Sequence, residues 1–115
     1  MSFRTHEEYM ASIDPEPRKR LLAIQAEVER LRPQALRCIS YNIPAFKDER
    51  VFFYFAAFKK HIGIYPPIRD DQALIAETMP YRGPKGNLSF PHAKPLPLDL
   101  IGRVAMALAA QAAAE

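Results

Sequence analysis

The chain is poor in the residues that usually make a site legible. It holds one cysteine, Cys38, which excludes an internal disulfide and any zinc or iron–sulfur site built on several thiolates. Beside Leu36 and Ile39, that thiol reads as buried and inert. No apolar run approaches the ~20 residues of a membrane-spanning helix. The opening Met-Ser-Phe-Arg-Thr-His-Glu-Glu lacks the apolar stretch of a signal peptide, so a cytoplasmic protein is expected. His6, His61 and His92 share no metal-ligand spacing. The four glycines make neither a P-loop nor a dinucleotide fingerprint, and Gly83-Pro-Lys-Gly86 reads as a turn. A net charge of +3 is too small and too dispersed for the basic stripe of a nucleic-acid binder. Helix capping and solubility account for the acid pairs Glu7-Glu8, Asp48-Glu49 and Asp70-Asp71. No catalytic set emerges, and a non-enzymatic protein is expected.

What is present describes one ordinary globular domain over residues 1–115, with 49% apolar and 25% charged residues. Thr5-His-Glu-Glu8 fits a capping box opening a short helix to about Ser12. Asp14-Pro15 starts a second helix over 15–32, whose buried stripe is Leu21, Ile24, Val28 and Leu31. Pro33 ends it and opens a further helical turn through Leu36 and Ile39. Ser40–Lys47, interrupted by Pro44, suits an edge strand or an extended segment. Strands are expected at about 51–57, 61–65 and 88–90, rich in aromatic and β-branched residues. Asp70 is the expected cap of a short helix carrying Leu74, Ile75 and Thr78 and ended by Pro80. A last helix starts near Pro97, presents Leu98, Ile101, Val104, Ala105 and Leu108, and frays over Ala109–Ala114. Helices, a strand cluster, then helices read as α+β, with a small antiparallel sheet of about four strands between N-terminal and C-terminal helices.

The centre of this pattern is Val51–Tyr65. Side chains alternate across a strand, so Lys59, His61, Gly63 and Tyr65 share one face and Ile62 and Ile64 the other, which is the core face. In Val51–Phe58 both faces are apolar and require cover on both sides. Two helix layers, a partner chain, or one helix layer and a ligand cleft would each supply it. The candidate ligand-binding residues are Tyr41, Tyr54, Lys59, His61, Tyr65, Lys85 and Phe90, walled by Phe46 and Phe55. A small anionic ligand or an acidic partner peptide suits that aromatic and basic set. Two-sided apolar strands equally suit a homodimer surface.

Four segments occur in fixed order: Ser40-Tyr-Asn-Ile-Pro-Ala-Phe46, Tyr54-Phe-Ala-Ala-Phe-Lys-Lys-His-Ile-Gly-Ile-Tyr-Pro66, Pro84-Lys-Gly-Asn-Leu-Ser-Phe-Pro91 and Lys94-Pro-Leu-Pro-Leu-Asp-Leu-Ile101. With the opening Glu-Glu-Tyr and Glu-Pro-Arg, they resemble the YdhG-like family of small bacterial domains, which have been described as frataxin-like iron chaperones. The resemblance implies a compact intracellular α+β domain that supplies iron for iron–sulfur or haem assembly, and it transfers no metal ligand to any position here. Frataxin-type binding uses an acidic ridge of carboxylate oxygens. The first long helix here instead carries Arg18, Lys19, Arg20, Arg30 and Arg32 against Glu16, Glu27 and Glu29.

Overall fold

A computed structural model describes residues 2–115. Two N-terminal helices, α1 (His6–Ala11) and α2 (Pro15–Leu31), precede four consecutive strands. These are β1 (Leu36–Ser40), β2 (Ile43–Lys47), β3 (Val51–Ala57) and β4 (His61–Tyr65). Helix α3 (Gln72–Thr78), a 3-10 turn at Met79–Tyr81, strand β5 (Leu88–Pro91) and helix α4 (Leu98–Ala113) complete the chain. The sheet has five antiparallel strands in the order β1-β2-β3-β4-β5, so every neighbour in space is a neighbour in sequence. The α+β architecture is as the sequence pattern expects.

Capping chemistry sets the helix starts. Thr5 Oγ1 accepts from the Glu8 amide at 3.1 Å, and Glu8 Oε1 reaches back one residue beyond the cap to the Arg4 amide at 2.7 Å. Asp71, not Asp70, caps α3, its carboxylate accepting from the Leu74 amide at 3.0 Å. At α2 the Asp14 side chain makes no capping bond. Pro15 and Pro17 lack amide protons, so fewer donors there need one.

Three further expectations change. Residues 36–39 are strand β1 rather than a helical turn: α2 stops at Leu31, and pairing with β2 satisfies the backbone that another turn would have used. The sheet therefore has five strands, and β2 is interior, not an edge. Pro44 is tolerated because the β2–β3 ladder begins only at Ala45, so no bond is asked of the missing N–H. The α4 tail does not fray. Ala109 and Gln111 are buried, and the Gln111 amide receives the Arg69 N–H at 2.9 Å and donates to the Pro67 carbonyl at 3.1 Å.

The core lies between the helices and one face of the sheet. Leu21, Ile24 and Val28 of α2 and Ile101, Val104, Ala105 and Leu108 of α4 pack against Phe46, Phe53, Phe55, Ile62, Ile64 and Phe90. Burying each phenylalanine contributes about 1.5–3 kcal/mol. Lys47 pairs with Val51 and Phe46 with Phe53, so Phe52 is an extra residue in β3. Phe52 and Phe53 are both buried at this bulge. His6 is the one charged-type side chain sunk deeply among the rings. It meets Phe46 and Phe55 edge-on at 5.4 and 5.6 Å.

Candidate functional site

All helix packing falls on the face of Phe46, Phe55, Ile62 and Ile64, and among the described residues no helix packs on the opposite face of the sheet. Strand register fixes what that open face carries. Cys38, Ala45, Tyr54 and Tyr65 stand in one row across β1 to β4. Ala56, Gly63 and Ser89 form the next row, and His61 pairs with Pro91 beyond it. Lys47 lies opposite Leu36 toward the other end. Cover over both sides of β3 is thus asymmetric: helices on one side, and on the other only the aromatic side chains of the sheet itself.

Small residues sit on this face as well. Ala45, Ala56 and Gly63 are all buried, and at Gly63 the side chains of Tyr65 and Phe58 lie across the backbone. At Gly63 a Cβ atom would stand 2.7 Å from the Tyr65 hydroxyl and 2.9 Å from Phe58 Cε2. Only glycine lets the two rings meet there. Phe58 in turn stacks on His61, centroids 5.1 Å apart and planes 23° from parallel. Tyr54 lies directly opposite Tyr65, and its hydroxyl is 3.3 Å from Ser40 Oγ. The β1–β2 turn is the two residues Tyr41 and Asn42, at φ 52° and 59°, the left-handed pair that a tight hairpin requires. This geometry leaves Tyr41 88% exposed with its ring 5.9 Å from that of Tyr54.

The electrostatics of the two layers differ. None of the five strands contains an acidic residue. On the helix side and in the loops, Glu7, Glu27, Glu29, Asp48, Glu77, Asp99 and Glu115 are engaged by arginines. Arg30 holds the Glu27 carboxyl below its usual range by hydrogen bonding, as Arg37 does for Glu29 and Arg103 for Glu77. Lys47 on the open face, and Lys59 and Lys60 at its β3–β4 rim, have no such partner among the described residues. Cys38 is half-buried on this face rather than buried. Desolvation pushes its thiol pKa up, and the charge of Lys47 opposes this.

The structure brings together five of the seven residues picked from sequence: Tyr41, Tyr54, Lys59, His61 and Tyr65. Lys59 sits in the turn, not in β4. Phe90 is not on the face; it is 1% exposed in the core, where its ring meets Tyr81 at 4.6 Å, because its parity matches Ile62. Phe46 and Phe55 are likewise core residues rather than pocket walls. Lys85 is exposed in the loop before β5, with no contact to the others. Sequence reasoning missed Phe58 and Lys47. The alternation of a small residue with a tyrosine, Tyr54-x-Ala56 and Gly63-x-Tyr65, is the signal that rings cover these strands. Among the described residues, no group of three or more His, Cys, Asp or Glu side chains is placed to hold a metal ion.

Fold and face define a two-layer α+β domain: helices cover one side of an antiparallel meander and the other side is open. Among solved structures, the chain is similar in fold to a protein of the DUF1801 family from Bacillus subtilis, YdhG. The TM-score is 0.73 at 23% identity, over 89% of this chain and 86% of that one. No family model and no curated protein matches the sequence. No helix among the described residues is long and apolar enough to cross a membrane.

Proposed function

We propose that the protein is a binding module whose open sheet face docks an acidic segment of a partner polypeptide. One combination carries this reading: the Tyr65 and Phe58 rings over Gly63, Tyr54 beside Tyr65, lysines around them, and no carboxylate in any strand. Tyrosine and phenylalanine offer large contact area at small cost in side-chain entropy. Unbalanced positive charge selects an acidic partner and speeds its encounter. The surface is broad rather than concave, which suits a polypeptide better than a small anion. A second copy of the chain would set lysine against lysine, so self-association through this face is disfavoured.

The test is binding of a labelled peptide of alternating glutamate and phenylalanine, read by fluorescence anisotropy and mapped by amide NMR. Shifts should centre on Tyr54, His61 and Tyr65 and weaken with salt. Tyr54→Ala, and the double change Lys59→Glu with Lys60→Glu, should each weaken binding about tenfold. Shifts confined to the helices, or tighter binding of a single-stranded oligonucleotide than of the peptide, would overturn the proposal. Iron delivery, which the family resemblance implies, has no ligand cluster to support it among the described residues. A saturable heat with ferrous ion in anaerobic calorimetry would restore it.

A further inference from the structure

We propose a second site, which meets the open face only at Phe58 and Lys59 of the β3–β4 turn: a groove at the end of the helix layer that takes a small organic carboxylate with an apolar body. The groove has a volume of about 800 Å³ and runs between the first turns of α2, the β3–β4 turn and the segment entering α4. Ile13, Ala23, Phe58, Leu96 and Leu98 supply its apolar wall. Lys19, Arg20 and Lys59 line it as well, and among the described residues none of them is paired with a carboxylate. Two acids also line it, Asp14 and Glu16. Both sit at the start of a 17-residue helix, where the positive end of the peptide dipole offsets part of their charge, and three cations face these two acids. The charge left over in the groove is therefore positive.

A deficit of hydrogen bonds lies at the same place. Arg20 Nη2 donates to the carbonyls of Pro91 at 3.0 Å and Lys94 at 2.8 Å, which pins the segment before α4. Its Nε is buried without an acceptor. His92 Nε2 donates to the Phe58 carbonyl at 2.8 Å, and its Nδ1 is also buried without a partner. Buried polar atoms without partners are rare in folded proteins, and each calls for a cause, such as a bound water or ion or a functional role. Arg20 and His92 both line the groove, and Arg20 Nε is the donor there that lacks an acceptor. A carboxylate oxygen then receives a charge-assisted bond, while an attached ring or alkyl chain lies along Phe58 and Leu96. Guanidinium, two lysines and an apolar wall together select a carboxylate with an apolar body over a bare inorganic anion.

The test is an amide NMR titration of the full chain with phenylacetate, acetate, inorganic phosphate and phenylethanol. Phenylacetate should give saturable shifts at Ala23, Phe58 and Lys59, with the other three probes binding about tenfold more weakly. Arg20→Gln should weaken phenylacetate about tenfold. Because Arg20 also holds the segment near Lys94, the double change Lys19→Gln with Lys59→Gln serves as the second variant: it spares those carbonyl bonds and should weaken binding severalfold. Shifts that are absent, unchanged in both variants, or equally strong with phosphate would overturn the site. Because Phe58 and Lys59 border both surfaces, the shift map separates them: phenylacetate shifts centred on Tyr54 and Tyr65 rather than on Ala23 would overturn the second site.

Discussion

Removing the titratable group at His6 should remove most of the fold's sensitivity to mild acid. The imidazole is 1% exposed. Its Nε2 donates to the carbonyls of Ala45 at 2.9 Å and Cys38 at 3.1 Å, and its Nδ1 accepts from the Gln25 amide at 2.9 Å. These partners specify the neutral ring with its proton on Nε2, tying α1 and α2 to β1 and β2. Desolvation by burial lowers its pKa from the ordinary value of 6.5; the two carbonyls oppose this, and Arg37 adds to the lowering. The sign follows from that direction. The unfolded chain binds a proton near 6.5 and the folded chain only at lower pH, so this group's contribution is complete above about pH 6.5. It is lost as pH falls from there through the folded pKa, with a slope of at most about 1.4 kcal/mol per pH unit. Gln25→Leu attacks the same site at neutral pH: it leaves Nδ1 buried and unpaired, which costs about 1–3 kcal/mol. At about 4 °C per kcal/mol for a domain of this size, the melting midpoint should drop by several degrees. Urea unfolding across about pH 8 to 5 reads both effects, with His6→Phe as the reference lacking a titratable group. If the wild-type protein and His6→Phe lose stability with the same slope in that range, the reasoning about His6 is wrong.

Two further outcomes separate the open face from the core. Gly63→Ala should leave stability nearly unchanged, because relief of glycine's chain entropy (about 0.5–1 kcal/mol) offsets displaced rings costing about 0.5–1.5 kcal/mol. Near-ultraviolet circular dichroism should nonetheless change as Tyr65 and Phe58 are pushed aside, and acidic-peptide binding should weaken; an unchanged spectrum and affinity would contradict the ring contact at Gly63. Gln111→Ala unties α4 from the segment after β4 by removing its bonds to Arg69 and Pro67, and should cost about 1–3 kcal/mol in a thermal melt. A loss below about half a kcal/mol, the usual range for surface substitutions, would mean that the α4 tail is not held through that side chain.

Local physics determined much of this protein from its sequence. Proline, cap and periodicity signals placed α1, α2, α3 and α4, and aromatic and β-branched runs placed β3, β4 and β5. Parity in β4 separated Ile62 and Ile64 from His61 and Tyr65, because residues two apart share a face whatever the rest of the chain does. Tertiary structure alone decided the rest. Residues 36–39 carry no strong local preference, and only a partner strand made them β1. The bulge at Phe52 belongs to the pairing of β3 with β2, so no pattern within β3 announces it. Phe90 reads from sequence as a candidate ligand-binding residue, and only its register against Ile62 puts it in the core. Which sheet face stays open, and which lysines remain unpaired on it, depends on where helices and arginines settle, and those are long-range choices that adjacent residues do not encode.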